Sequence, residues 1–245
     1  MSEIIHNHSV INLKGISKNY KVGEIDVNAL IDVTLTIHQG ELIVILGPSG
    51  SGKTTLLNMI GAIDVPSKGQ VNVLGYNLTK ANRHALAAFR RQHVGFIFQF
   101  FNLLPTLTAL ENVEYAILLQ KKKNAQHRAR EVLKEVGLEE RVNHFPSELS
   151  GGEQQRVAIA RALAKQTDLI LADEPTGELD YETGIQILKL LVSAAINGNK
   201  KRTILIVTHN ADIAKIADRV IRLRSGKVIS DSKNPSPIDP EELRW

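Results

Sequence analysis

The stretch Gly47-Pro48-Ser49-Gly50-Ser51-Gly52-Lys53-Thr54 decides the fold. It follows the apolar run Leu42–Leu46 and leads into Lys53–Ile60, which has helical character. A strand, a glycine-rich turn and a helix in this order match the phosphate-binding pattern G-x-x-x-x-G-K-[ST] at every fixed position. Glycines let the backbone wrap closely, so that N–H groups and the positive helix start face phosphate oxygens. The stretch therefore predicts an α/β nucleotide-binding fold, and a glycine-rich turn that matches by chance is the weaker alternative.

Two residues of this loop have predicted chemical roles beyond the backbone. Lys53 supplies a cation for the β- and γ-phosphates, and the Thr54 hydroxyl supplies a ligand for Mg²⁺. The predicted nucleotide contacts along the loop are Gly47, Pro48, Ser49, Gly50, Ser51, Gly52, Lys53, Thr54 and Thr55.

Further along the chain, the apolar runs Leu169–Ala172 and Ile204–Val207 flank a helical stretch, Gly184–Ala195. Strand, helix and strand in this order are typical of a parallel sheet. Two earlier strand-like segments, Val10–Leu13 and Val33–Ile37, precede the phosphate-binding loop. Helical signals dominate the middle of the chain, so we expect an α/β core interrupted by a helical insertion.

Polar residues follow the two apolar runs at the strand ends. Asp173 and Glu174 come directly after the first run, and His209 closes the second. Open parallel sheets bind ligands at the carboxyl ends of their strands. Asp173 is therefore predicted to hold Mg²⁺, and Glu174 to reach a water molecule aligned on the γ-phosphate. A solvated turn for the two carboxylates, and a structural role for the histidine, are the alternatives.

A second helix start carries glycines that its cap does not require. In Leu149-Ser150-Gly151-Gly152-Glu153-Gln154-Gln155, Ser150 and Glu153 form a capping box, which by itself indicates a well-capped helix. Each glycine costs about 1 kcal/mol of helix propensity relative to alanine. Bare N–H groups at a positive helix end suit a second phosphate contact. The segment resembles the LSGGQ-type signature of ATP-binding cassette (ABC) ATPases, with Glu153 where many members have glutamine.

Other motifs of that family follow in the same order. Gln99 is similar to the Q-loop glutamine, Gly177–Asp180 to the D-loop, and His209 to the switch histidine. Tyr20 resembles the aromatic residue that stacks on adenine, with a half-buried strand tyrosine as the alternative. The resemblance covers residues 10–230. Glu178 departs from the family pattern, which more usually has an uncharged residue there.

The resemblance implies an α/β P-loop NTPase cassette with a parallel-sheet core, an N-terminal antiparallel β region and a helical subdomain at about 102–165. Residues 1–9 are expected to be a flexible N-terminus, 10–230 the ATPase domain, and 231–245 a C-terminal tail. ATP and Mg²⁺ are the implied ligands, with Thr54, Gln99 and Asp173 at the metal. Glu174 is the implied general base, and His209 and Gln99 are implied to sense the γ-phosphate.

The resemblance also implies a head-to-tail pair of cassettes. Ser150, Gly151, Gly152 and Glu153 would then bind ATP held by the partner's loop, with Asp180 near the partner's site. The branch that it most resembles contains lipoprotein-release and macrolide- or peptide-export ATPases, whose permease is a membrane protein. We therefore expect a transporter ATPase on the cytoplasmic face of the membrane, with a separate permease chain. The alternative is a non-transport ABC ATPase that drives a membrane regulatory complex in cell division or stress sensing.

Composition limits the other possibilities. A net charge of +4, from 30 Lys and Arg against 26 Asp and Glu, is too small to indicate nucleic acid, and no nucleic-acid partner is expected. Cysteine is absent, which excludes thiolate chemistry. No apolar run approaches the roughly 18–20 residues of a spanning helix. The apolar segment 96–113 is interpreted mainly as core, with a groove for a partner's helix as the alternative.

Overall fold

A computed structural model describes residues 9–196 and 202–244, so residues 1–8 of the predicted flexible N-terminus lie outside the described residues. Across these ranges the strands are β1 Ser9–Val22, β2 Ile25–His38, β3 Leu42–Leu46, β4 Lys68–Val73, β5 Tyr76–Asn77, β6 Val94–Ile97, β7 Leu169–Asp173, β8 Thr203–Thr208, β9 Arg219–Arg224 and β10 Lys227–Lys233. The α-helices are α1 Lys53–Ile60, α2 Arg83–His93, α3 Ala109–Leu119, α4 Ala125–Glu135, α5 Gly151–Ala164 and α6 Tyr181–Ile196. Short 3₁₀ turns occupy Glu139–Arg141, Pro146–Glu148, Asp212–Ile216 and Pro240–Glu242.

The central sheet has the strand order β10-β9-β3-β8-β7-β6. Strands β9, β3, β8, β7 and β6 run parallel, and β10 pairs with β9 antiparallel at one edge. The predicted parallel sheet is therefore confirmed. Because β3, β7 and β8 are parallel neighbours, their carboxyl ends meet at one edge of the sheet, where the loops that follow them come together.

Alternate residues of the central strands pack on opposite faces, as the two-residue period of a strand requires. Leu42, Val44 and Leu46 belong to a core with helices α3 to α6. Ile43 and Ile45 belong to a second core with α1 and the other sheet. Both faces are covered, which explains why β3 is a continuous apolar run rather than an alternating one.

The second sheet is antiparallel, with the order β2-β1-β4-β5, and it forms the predicted N-terminal β region. Helices α3, α4 and α5 lie between β6 and β7 in the chain, inside the predicted helical subdomain. The described helices are all too short or too polar to span a membrane.

The predicted boundary between the ATPase domain and the C-terminal tail, at residue 230, falls inside strand β10. Strand β10 continues to Lys233 and pairs with β9, so the edge of the central sheet crosses that boundary. Leu243 is fully buried against the helical face of the sheet. Its carbonyl oxygen accepts a hydrogen bond of 2.7 Å from the Tyr181 hydroxyl. The part of the tail that the structure describes therefore packs on α6, while residue 245 lies outside the described residues.

Candidate active site

The carboxyl ends of β3, β7 and β8 border a cleft of about 780 Å³. It is lined by Tyr20, Val27, Asn28, Ala29, Pro48, Ser49, Gly50, Gly52, Lys53, Thr54, Thr55, Gln99, Asp173, Glu174 and His209. Residues from five separate segments of the predicted site therefore share one cavity. Gly47 and Ser51 lie in the loop but do not line the cleft, nor do Asp180 and the signature residues Ser150–Glu153.

The phosphate-binding loop needs glycine at the start of α1. Gly52 has φ of +100°, and a Cβ atom there would lie 2.4 Å from the Ala29 carbonyl oxygen. Both the left-handed backbone and the close approach exclude a larger residue. No side chain caps this helix start, so the N–H groups of its first turn are left for a ligand. The positive end of α1 therefore opens into the cleft as an anion-binding site.

Lys53 lies in the cleft with its ammonium group already oriented. Its Nζ donates hydrogen bonds to the carbonyl oxygens of Gly47 at 2.8 Å and Pro48 at 3.1 Å. It also lies 3.8 Å from Oε1 of Glu174, and the lysine side chain is only 7% exposed. The loop thus holds a buried cation beside a carboxylate, at the place where phosphate oxygens are expected.

Glu174 and His209 form a polar pair at the ends of β7 and β8. Nδ1 of His209 lies 3.0 Å from Oε1 of Glu174. Glu174 adopts φ of +45°, an uncommon conformation for a residue with a side chain, and its N–H donates to the Val207 carbonyl oxygen at 2.9 Å. Such backbone strain is concentrated at functional sites. The glutamate is 13% exposed and the histidine 67%, so the pair links the cleft interior to its rim.

The predicted metal ligands are oxygen donors gathered at one side of the cleft. Thr54 Oγ1 donates to Asp173 Oδ1 at 3.2 Å, and Gln99 lines the same cavity. Burial raises the pKa of Asp173 despite the Thr54 hydrogen bond, because burial disfavours the charged form of the carboxylate. The described ranges contain no group of three His, Cys, Asp or Glu residues able to hold a metal alone. This set fits Mg²⁺, which typically takes one or two carboxylates and completes its shell with phosphate and water.

Tyr20 is held in place by two residues that sequence reasoning missed. Its hydroxyl donates to Asp64 Oδ2 at 2.9 Å, and Lys18 Nζ donates to Asp64 Oδ1 at 2.7 Å. The Lys18 ammonium also lies 5.0 Å from the centre of the tyrosine ring. Burial opposes the charged form of Asp64, but hydrogen bonds led by that from Lys18 lower its pKa. More than 40 residues separate Asp64 from its partners, so no local pattern could have revealed the triad.

Strand β2 also contributes lining residues that the sequence did not indicate. Val27, Asn28 and Ala29 form part of the cleft wall, and Val27 is exposed. The exposure of Val27 and its position on the edge strand β2 are visible only in the structure, so these residues carried no signal in the sequence.

The signature segment is a capped helix start outside the cleft. Ser150 Oγ accepts from the Glu153 N–H at 3.3 Å, and Glu153 Oε2 accepts from the Ser150 N–H at 2.9 Å, which confirms the predicted capping box. Arg141 Nε donates to Glu153 Oε1 at 3.0 Å. The Ser150 N–H and then Arg141 lower the pKa of Glu153. Both oxygens of the Glu153 carboxylate therefore accept hydrogen bonds within their own chain.

Packing within the chain requires glycine at only one of the two glycine positions in the signature. A Cβ atom at Gly152 would lie 2.4 Å from Cγ2 of Thr183, so packing against α6 requires glycine there. A Cβ atom at Gly151 would meet only ordinary contacts at 3.8 Å, from Leu179 and Phe101. Within the described residues, no packing contact therefore requires glycine at 151.

The D-loop residues cap the next helix and contact the Q-loop. Asp180 accepts hydrogen bonds from the Thr183 N–H at 3.0 Å and from its hydroxyl at 2.7 Å. Gln99 Nε2 donates to Glu178 Oε1 at 2.8 Å. The two loops are therefore joined directly by side chains on one side of the cleft.

A groove separates α2 and β6 from the helical subdomain. It has a volume of about 320 Å³, and apolar residues such as Phe96, Phe98 and Leu119 share its walls with Arg90 and Arg91. Phe100 nearby in the chain is 69% exposed. Part of the apolar segment 96–113 is therefore surface, as the groove alternative for this segment requires.

Comparison with known proteins places this geometry in context. The family model described as ABC transporter matches residues 30–177. YvrO, an ABC transporter ATP-binding protein of Bacillus subtilis, is 46% identical over 226 residues, which are 91% of this chain and 97% of YvrO. MacB of Pectobacterium atrosepticum, a macrolide export ATP-binding/permease protein, is 49% identical over 225 residues, and the chain spans only 34% of its length.

Solved structures agree with the sequence relatives. The dimeric post-hydrolysis structure of the ATP-binding cassette MJ0796 bound to ADP and Pi matches with a TM-score of 0.85 and 44% identity. That match covers 91% of this chain and 98% of the other. MJ0796 is an ABC transporter ATP-binding protein of Methanocaldococcus jannaschii, and by sequence it is 46% identical over 230 residues.

Proposed function

Because the chain belongs to the ABC transporter family and is an ABC-type ATPase, we propose that it is the motor subunit of an exporter whose permease is a separate chain. The observation that carries the catalytic part is the Glu174–His209 pair beside Lys53 in one cleft. The export assignment is supported by the likeness to macrolide export proteins. The separate permease is supported by relatives such as YvrO, along 97% of which the chain matches.

ATP binding begins with an exchange of partners at the loop. The phosphate oxygens take over Lys53 Nζ from the carbonyl oxygens of Gly47 and Pro48, and the uncapped N–H groups of α1 bind the same phosphates. Tyr20, fixed at its hydroxyl by Asp64, offers its ring to the base. Because each of these side chains is already held near the position it takes in the ATP complex, binding costs little conformational entropy.

Hydrolysis converts ATP and water to ADP and phosphate. Glu174 Oε1 accepts the proton of the attacking water, and its low exposure raises the strength of this interaction. His209 holds the carboxylate from the rim of the cleft at 3.0 Å. Thr54, Asp173 and Gln99 are the residues that would hold Mg²⁺, which when bound neutralises charge on the β- and γ-phosphates.

A second copy of the chain completes the site. The signature residues Ser150–Glu153 do not line the cleft of their own chain, and Gly151 lacks an internal reason to be glycine. Head-to-tail pairing sets this helix start against the γ-phosphate in the other chain's cleft. The dimeric form of the similar MJ0796 structure supports this arrangement.

The groove between α2, β6 and α3 is the proposed permease contact. Its mixture of aromatic and cationic residues suits an amphipathic helix from a membrane protein. This contact holds the chain at the cytoplasmic face of the membrane and brings the partner close to Gln99, which follows β6 in sequence. Closure of the ATP-bound pair is then transmitted to the permease.

The test is co-purification after detergent extraction from the native membrane. A tagged chain is expected to retain a multi-spanning permease, and Leu119→Asp in the groove is expected to lose it. Ile229→Asp is the matched control, because Ile229 is a similarly exposed apolar residue on the edge strand β10. Equal retention by the two variants contradicts the groove contact. A permease whose loss leaves export intact but disturbs division or stress signalling favours the regulatory alternative.

A further inference from the structure

Glu178 has no part in the function proposed above, although it is placed beside the metal ligands. It lies four residues after Glu174, in the loop that joins β7 to α6, and its side chain is exposed. Its Oε1 accepts a hydrogen bond of 2.8 Å from Nε2 of Gln99. The amide of Gln99 is therefore anchored from outside the cleft by a residue that follows the general base.

The polarity of this contact matters because an amide has two unlike ends. Its nitrogen only donates hydrogen bonds, its oxygen only accepts them, and an ionised carboxylate accepts without donating. Glu178 therefore binds only the nitrogen end of the Gln99 side chain. The carbonyl oxygen is the end left for a cation, and oxygen is the ligand that Mg²⁺ requires.

We propose that Glu178 is a positioning residue that fixes the orientation of the Gln99 amide so that its oxygen faces Mg²⁺. The inference rests on the proposed ATPase function and adds a residue to it. Without the carboxylate, the Gln99 side chain is free both to leave this position and to turn its amide over, so its oxygen faces Mg²⁺ in only a small share of its conformations. The expected loss on removing the acceptor is about five- to tenfold in the affinity for the metal complex, which is within the range of one ordinary, solvent-accessible hydrogen bond.

A different explanation is that Glu178 attracts the cation simply through its negative charge. The substitution Glu178→Gln distinguishes the orientation explanation from the charge explanation. Glu178→Gln removes the charge but keeps an acceptor, and its amide pairs with Gln99 in either of two orientations. One of these leaves the Gln99 oxygen free, so the orientation account expects a loss of at most about twofold. The charge account expects Glu178→Gln to be as weak as Glu178→Ala.

The experiment measures binding of the fluorescent non-hydrolysed analogue mant-AMPPNP in Mg²⁺ and again in EDTA, at protein concentrations where the chain is monomeric. Glu178→Ala is expected to lose affinity only in Mg²⁺, while Glu178→Gln stays near the wild type. Glu182→Ala is the matched control, because Glu182 is an exposed glutamate on the first turn of α6 and its loss changes net charge equally. Melting temperatures verify that each variant is folded.

Three results overturn the inference: an unchanged Mg²⁺ affinity in Glu178→Ala, an equal loss in EDTA, or a Glu178→Gln variant as weak as Glu178→Ala. Failure of the proposed function has a different signature. In that case the wild-type chain binds the analogue in neither condition, and Glu178 has nothing to position.

Discussion

The starts of α1 and α5 are two glycine-containing helix ends that are built for different tasks. The α1 start has Gly52 as its N-cap, carries no side-chain cap, and has Lys53 as its first residue. The α5 start is closed by the Ser150–Glu153 capping box, and Arg141 neutralises its carboxylate. The first lies in the cleft with Glu174, the proposed general base, whereas the second does not line the cleft.

In the proposed two-chain site, this difference assigns a separate task to each helix start. An uncapped start leaves N–H groups free to bind a phosphate, so α1 is suited to hold a ligand. The α5 start satisfies much of its own hydrogen bonding and is stable alone, so it is suited to recognition rather than chemistry. We therefore expect changes near α1 to affect binding and turnover, and changes near α5 to affect stability and pairing.

The largest effect is expected from Glu174, which lies on the α1 side of this comparison. Glu174→Gln is expected to slow hydrolysis by ~10²–10⁴-fold, because the variant loses its general base. ATP binding should persist, and pairs that no longer hydrolyse ATP should accumulate as dimers by light scattering. A steady-state phosphate-release assay gives the rate, and Glu182→Gln is the control with the same chemical change. Turnover at the wild-type rate in Glu174→Gln contradicts the assignment.

The second prediction compares the cation at each helix start. Lys53→Ala is expected to weaken ATP binding by roughly 10- to 100-fold, since a buried charged hydrogen-bond donor is lost. Arg141→Ala removes the same charge at the α5 start and should change affinity less than twofold in the monomeric chain, because Arg141 contacts Glu153 and His144, neither of which lines the cleft. Isothermal titration on dilute protein measures both constants. Similar losses of ATP affinity in the two variants would contradict the proposed difference between the helix starts.

The smallest effect concerns the caps themselves. Ser150→Ala is expected to cost about 1 kcal/mol and lower the melting temperature by about 2–4 °C, because α5 loses its N-cap. Ser49→Ala in the phosphate-binding loop should leave the melting temperature unchanged, since no side chain caps α1. Thermal unfolding followed by circular dichroism compares them. A drop of similar size in Ser49→Ala shows that the loop is capped after all.

The sequence predicted the α1 side of this comparison well because its signals are local. The buried run Leu42–Leu46, the glycines and Lys53 lie within a dozen residues, and the segment Lys53–Ile60, which was predicted to be a helix start, forms helix α1. Strands β9 and β10 were not predicted. Arg219, Arg222 and Arg224 obscure the apolar pattern of β9, and its place in the sheet depends on pairing with β3, far away in the chain.

The contacts that orient the site residues also could not be predicted from the sequence. Gln99 and Glu178 are 79 residues apart, and Tyr20 and Asp64 are 44 residues apart. The reasoning about glycines at α5 also needed correction in one respect. Gly152 is required by its packing on Thr183, so only Gly151 still supports the proposed contact with a second chain. Long-range packing, rather than propensity, decides such details.

The central claim is that a complete ATPase site combines the α1 start of one chain with the α5 start of another. Two defective variants test it. Lys53→Ala removes the phosphate-binding cation of the cleft, and Gly151→Asp adds a negative charge at the α5 start. The structure has space for a side chain at residue 151, and an acidic residue is compatible with a helix N-terminus.

Each variant alone is expected to be inactive in a phosphate-release assay. When equal amounts are mixed, the account predicts recovery of about a quarter of the wild-type rate, because about half of randomly formed pairs are mixed and each contains one intact site. If crosslinking demonstrates mixed pairs but phosphate release does not recover, the shared site is contradicted. Hydrolysis would then take place within a single chain.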